Sequence, residues 1–402
     1  MAGGLDTIEL NDDLKLLITC CQVERSDAET GFILNYLSKK DEDQLLNLIS
    51  LSTRHGILPL VYKAIKKIST QDENTVPATF LTELKAHYMS ISQRNMLMSA
   101  ELIRIMKLLE DNGIEALAFK GPTLSQMAYG DITLRQYSDL DILVSEKNIY
   151  RVAQLMVNQN YEPMNSIEFL NNSAKLHVEK NYEFYGRKNG IKVEIHWRLI
   201  NTSFLKKFKN HDVFSKHDTV SINNKPLPTL DTRILLLYLC NHGASHMWER
   251  LEWIVDIDRI IKSKGDSWDW DEILKLASTL QSKTTLLLGI GLSKKLFNTK
   301  LPPQIERQIH KQSIFTLISF ILTTLNSDLI HQDHTSHKKN YKVFQFNLTL
   351  QDSLSTQTGF IIHTLFGYSD RDVMMVNLPK SLYFLYYPLR IIRIIKKYIF
   401  RK

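Results

Sequence analysis

The order of apolar and polar positions gives the chain three textures. Up to about residue 112, apolar residues recur every three or four positions in the stretches 14–23, 31–37, 45–51 and 58–68. A longer run of the same kind covers 78–109, and this spacing predicts helices. Ser26 with Glu29 fits a capping box, Asp41 can cap the next helix, and Asp111-Asn112-Gly113 ends the long one. At Ile114 the pattern shortens. Stretches 116–119 and 140–144 read as short buried strands, with Pro122 opening a helix that runs to Tyr129 and a further helix over 146–158. Residues 183–187 and 191–199 alternate around Lys188-Asn189-Gly190, the signature of a hairpin. A second turn at Asn223-Asn224 separates two short extended pieces. From Leu230 helical spacing returns, with 305–325 read as one helix, 328–344 as a polar loop, and a final helix after Pro379. The expected fold class is α+β. A small mixed sheet (113–229) is embedded between an N-terminal helical region (1–112) and a C-terminal one (230–402).

Composition narrows this only slightly. The 402 residues are 44% hydrophobic and 23% charged, ordinary values for a globular chain. The net charge of +7 suits an anionic partner. The 43 acidic residues are nonetheless interspersed among the 50 basic ones, so a nucleic-acid stripe is not favoured. Cys20, Cys21 and Cys240 make no disulfide framework and read as small buried hydrophobes. No signal peptide or membrane span is legible, so the expectation is a cytoplasmic protein.

Chemistry concentrates in the shortened region. Asp139 and Asp141 are two apart on an expected strand, so both leave the same face. Carboxylates held together repel unless a cation or proton sits between them, and hard divalent cations such as Mg2+ (or Mn2+) take carboxylate oxygens. Lys120-Gly121 stands where strand passes to helix: glycine lets backbone approach a phosphate and Lys120 offers a point charge. Arg135 and Ser138 lead into the pair. Arg135 can fork onto a phosphate or bridge to Asp139 or Asp141, and Ser138 can bind phosphate or cap the turn. Farther on, Glu194, His196 and Arg198 share one face of a strand and Val193, Ile195 and Trp197 the other. Glu194 thus offers a third carboxylate, as metal ligand or base, unless the strand is simply an exposed hairpin face. His242, His246 and Arg250 are candidate substrate contacts; a zinc protease pattern fails because no Glu follows His242. His331, His334 and His337 lie in the polar loop and read as solvated. Residues 389–402 alternate isoleucines with Arg390, Arg393, Lys397 and Arg401. Such a basic amphipathic helix can lie on anionic lipid or dock as a terminal helix with its lysines outward.

Three stretches in order, KGPTLSQMAYGDITLRQYSDLDILV, VEIHWRL and NHGASHMWERLEWIVDIDRI, resemble the uncharacterised bacterial nucleotidyltransferases of the DNA polymerase β-like superfamily. The resemblance covers about 102–292. It implies a polymerase β-like sheet and metal-dependent transfer of a nucleotidyl group from an NTP. Asp139 and Asp141 match the metal-binding pair, and Glu194 matches the third carboxylate. Lys120-Gly121-Pro122 replaces the superfamily's usual Gly-Ser, with Lys120 and Arg135 as substitutes at the triphosphate. The resemblance assigns no role to residues 242–256. The expected acceptor is a small molecule, sugar phosphate or peptide. The alternatives are a toxin-like enzyme modifying RNA or protein, and a non-catalytic nucleotide-binding module.

Overall fold

The computed structural model describes residues 9–70, 76–171, 176, 178–199, 210–327, 337–376 and 378–399. Its architecture is α+β, a five-stranded mixed sheet flanked by helices. Five helices come first: α1 (Asp12–Cys20), α2 (Asp27–Ser38), α3 (Glu42–Arg54), α4 (Leu58–Ser69) and the long α5 (Ala78–Asp111). The capping boxes at Ser26 and Asp41 are both formed. They satisfy the first free N–H groups of α2 and α3.

The sheet is built from β1 (Ala116–Ala118), β2 (Asp139–Val144), β3 (Tyr161–Pro163), β4 (Asn181–Gly186) and β5 (Lys192–His196), in the order β1-β2-β5-β4-β3. Only β2 and β5 run parallel. Between β1 and β2 the chain forms α6 (Gly121–Leu124) and widens into a π turn at Ser125–Tyr129. Between β2 and β3 it forms α7 (Ile149–Asn158). A separate hairpin, β6 (His217–Ile222) and β7 (Lys225–Leu230), turns at Asn223 and Asn224. Both asparagines have positive φ, as a tight hairpin turn of matching twist requires.

Strand alternation gives the sheet two unlike faces. Leu140, Ile142, Val193, Ile195, Tyr182 and Phe184 point into a core shared with Leu102, Ile105 and Met106 of α5 and Val152 and Met156 of α7. The other face carries the polar residues. A second core joins helices from both ends of the chain: Leu17, Ile33 and Val61 lie in one continuous cluster with Leu236, Trp248, Ile254, Leu288 and Ile318.

Two expectations for the later helices need correction. The stretch read as one helix over 305–325 is two, Pro303–Ile309 and Gln312–Ser327. Residues 337–344, read as loop, begin the helix His337–Thr349, because Phe346 anchors it by stacking on Phe320. A single buried aromatic outweighs a polar-looking turn. His331 and His334 lie outside the described residues.

Trp248 shows how tightly the C-terminal helices close. It follows the helix Thr232–Ser245, is fully buried, and sits over Gly243 and Gly289. A Cβ on Gly243 would meet the indole at 2.4 Å. Gly243→Ala is therefore expected to displace Trp248 and cost about 1–3 kcal/mol, lowering the midpoint of thermal unfolding. An unchanged midpoint would contradict this packing.

Candidate active site

The polar face of the sheet is assembled by register. Pairing of β2 with β5 sets Asp139 beside Lys192 and Asp141 beside Glu194, and pairing of β5 with β4 sets Glu194 beside Glu183 and His196 beside Asn181. Because paired residues share a face, acidic and basic side chains from three strands meet in one patch.

Asp141 is at its centre and is buried. His196 Nε2 lies 3.0 Å from Asp141 Oδ1 and 3.3 Å from Glu194 Oε2. His196 is 1% exposed and its Nδ1 has no partner. The tautomer assigned on that ground carries the proton on Nε2, since an orphaned lone pair costs less than an orphaned N–H. Asp141 Oδ2 accepts no well-aligned hydrogen bond, but Lys120 Nζ stands 3.2 Å away. Burial opposes ionisation of Asp141, yet Lys120 and the His196 hydrogen bond outweigh it and hold the carboxyl well below its usual range. Glu194 behaves similarly. Burial works against the charge, while His196 and Lys192 bring the carboxyl down to about 2. Lys192 Nζ is 2.6 Å from Glu194 Oε1, and Asn181 Nδ2 donates to Oε2 at 2.6 Å. Asp139 differs. Among the described residues it has no ion pair, and burial together with the charge of Asp141 pushes its pKa up.

The β1–α6 turn places Lys120. Gly121 has φ +50°, and a Cβ there would lie 3.2 Å from the Asp139 carbonyl oxygen. Only glycine tolerates both the left-handed backbone and this approach. Phe119, beside it, packs edge-on against His196 and Tyr238. Lys120 Nζ lies 5.9 Å from the Tyr238 ring centre. Tyr238 in turn stacks on His242, which meets His246 and Trp253. Burial and the charge of Lys120 drive the His242 pKa well down, so this ring is neutral near neutral pH.

Several expected site residues have other partners. Arg135 is buried and forks onto Asp256, with Nε 2.9 Å from Oδ1 and the terminal nitrogen 3.0 Å from Oδ2. It bridges to neither Asp139 nor Asp141, because its guanidinium turns toward the helix Leu251–Lys264. Tyr129 donates to the same Asp256 at 2.7 Å. Arg198 pairs with Glu146 at 3.1 Å, and Arg250 with Glu252 at 3.1 Å. Ser138 is exposed directly before β2. Asp256 was missed by the sequence reading. Its signal was an acidic residue inside the apolar run Ile254-Val255-Asp256-Ile257, where an unpaired charge would be untenable.

The donor atoms of Asp141, Glu194 and His196 all lie within 4.8 Å of one another. Among the described residues this group includes His196 and leaves out Asp139, which the sequence groups with Asp141 and Glu194. The two carboxylates, with Asp141 Oδ2 lacking a hydrogen bond, suit a divalent cation, while His196, its Nε2 proton directed at Asp141, orients that carboxylate and offers no lone pair there. A cavity of about 770 Å3 lined by Met106, Leu117, Phe214 and Pro226 lies elsewhere and contains none of these groups.

The sheet and its buried carboxylates together describe an α+β domain with a side-chain group that could hold a metal ion. The chain belongs to the uncharacterised nucleotidyltransferase family, whose profile matches residues 40–298. Among solved structures, an antigenic nucleotidyltransferase-like protein from Paracoccidioides brasiliensis aligns with 50% of this chain and 93% of its own, at 14% identity and a TM-score of 0.34. No curated protein matches.

Glu252 gives the site region a pH signature. Its Oε2 is buried without a partner, and burial pushes the carboxyl up to about 7 against the pull of Arg135 and Arg250. An acid whose pKa rises on folding costs stability as pH climbs from its unfolded value to its folded one. Glu252→Gln should therefore gain on the wild type between about pH 5 and pH 8, by roughly 1–3 kcal/mol at the upper end. Denaturant unfolding across that range measures it. A deficit that grew with pH would mean the Arg250 pair dominates.

Proposed function

We propose that this protein transfers a nucleoside monophosphate from an NTP to a small-molecule, sugar-phosphate or peptide acceptor, with Mg2+ or Mn2+. The observation that supports this reading best is the meeting of Asp141 and Glu194 across the parallel β2–β5 pair, with Lys120 at Asp141 Oδ2. The family match points to the same reaction class.

Asp141 and Glu194 would hold a divalent cation, with Asp139 and His196 beside them, and the cation supplies neutralisation of triphosphate charge. The chain's own groups then have distinct tasks. His196 fixes the orientation of Asp141 through its Nε2. Lys192 and Asn181 fix Glu194. Asp139, with no ion pair among the described residues, is the carboxylate open to an incoming group. Lys120 stands in for positive charge at Asp141 until a phosphate draws it away, and Gly121 keeps the backbone close enough for that exchange. Arg135 has no phosphate role in this reading, because Asp256 occupies its guanidinium.

Two outcomes test this. With labelled NTPs, Mg2+ and cell extract, the wild type should label an acceptor and Asp141→Asn should lower transfer by about a hundredfold or more. Wild-type turnover in the variant would refute the proposal. Lys120→Met should bind Mn2+ more tightly than the wild type in the absence of nucleotide, and bind NTP more weakly. Calorimetry reads both, and unchanged Mn2+ affinity would remove the stand-in role of Lys120.

A further inference from the structure

The residues after 353 are arranged backwards for a surface in water. The helix Leu354–Phe366 leaves Ile361, Ile362 and Leu365 outward, with Leu365 55% exposed. In the helix Tyr386–Ile399, Ile391 and Ile392 face solvent, the latter 51% exposed, and just before it Phe384 is 60% exposed. The charged partner turns inward instead. Arg393 pairs with buried Asp372, its Nε 2.5 Å from Oδ1, and Arg390 donates to the Thr364 carbonyl at 2.9 Å, joining the two helices. Tyr386 is buried, donating its hydroxyl proton to the Val376 carbonyl oxygen and accepting from the Leu378 N–H, so the exposure of its neighbours is part of an ordered packing. Exposed large apolar side chains gathered on two linked helices mark a surface suited to being covered.

Charge says what covers them. From residue 353 to 402 the only acidic residues are Asp370 and Asp372, against eight lysines and arginines, and Arg393 neutralises Asp372. A second copy would bring like charge against like. An anionic lipid surface offers both an acyl boundary for Ile391 and Ile392 and negative headgroups for the exposed Lys396. Tyr387, stacked edge-on with Tyr368 and 45% exposed, suits the wet boundary of such a surface. Among the described residues no helix is long and apolar enough to cross a membrane, so the contact is one of lying on it.

We infer that the paired helices Leu354–Phe366 and Tyr386–Ile399 form a docking face for anionic membrane, holding the nucleotidyltransferase at a lipid surface. The test is sedimentation of the full chain with vesicles of phosphatidylcholine alone and of phosphatidylcholine with phosphatidylglycerol, over a salt series. The expected result is partition onto the anionic vesicles that weakens with salt. It should fall by about tenfold in Ile391→Asp with Ile392→Asp, and in Lys396→Gln with Lys397→Gln, while circular dichroism shows the fold kept. Absence of binding at low salt, or equal binding to neutral vesicles, overturns it. So does a dimer by size exclusion that the Ile391→Asp, Ile392→Asp variant abolishes, since the face then belongs to a second copy.

Discussion

Asp141 is a carboxylate taken almost wholly out of water, and everything around it answers that cost. Left alone, a buried anion would take up a proton instead of staying charged. Here Lys120 and His196 approach its two oxygens from different elements, one from the turn after β1 and one from β5. Neither can do so unless β2 and β5 run parallel in the observed register and Gly121 lets the turn approach β2. The strand pairing, the glycine and the histidine are thus consequences of a single electrostatic demand. The groups that neutralise Asp141 therefore mark where positive charge sits in this patch.

A second buried charge ties this patch to the helices. Arg135 precedes β2 by a few residues, yet its partner Asp256 is 121 positions away. Breaking such a pair by removing one side strands a buried charge, typically at 3–5 kcal/mol in comparable sites, roughly. Tyr129, from the end of the π turn, binds the same carboxylate. The loop that delivers Asp139 is therefore clamped to the helix Leu251–Lys264. Glu252 on that helix reaches N-terminal residues as well: its N–H donates to the His55 carbonyl oxygen and its carboxylate lies against Gly56. The helical flanks share a core, and through these contacts they hold the loop before β2 in one position.

Much of this could be read along the chain. The alternation through Val193, Glu194, Ile195 and His196 separated an apolar face from a polar one, and the structure keeps that separation. The spacing of Asp139 and Asp141 put them on one side of a strand. What spacing could not supply was a partner for Arg135. Its reading as a bridge to the nearby aspartates was local, and the partner in the structure is on a distant helix. His196 was grouped with substrate contacts because a sequence does not reveal which ring nitrogen meets which carboxylate. The start of the helix at His337 was hidden for a similar reason: Phe346 stabilises it through Phe320, a contact made only when the chain folds back.

By itself the sequence determined most element types, the two-faced strands, the caps at Ser26 and Asp41 and the acid pair, because those follow from periodicities of two and about 3.6 and from local hydrogen bonding. Tertiary structure alone decided the parallel pairing of β2 with β5, the choice of Lys120 and His196 as neighbours of Asp141, and the inward turn of Arg393 that leaves Ile391 and Ile392 outside. The physical reason is range. Propensity and spacing act over a few residues, whereas a buried charge takes whichever opposite charge the fold brings within about 3–4 Å, at any distance along the chain.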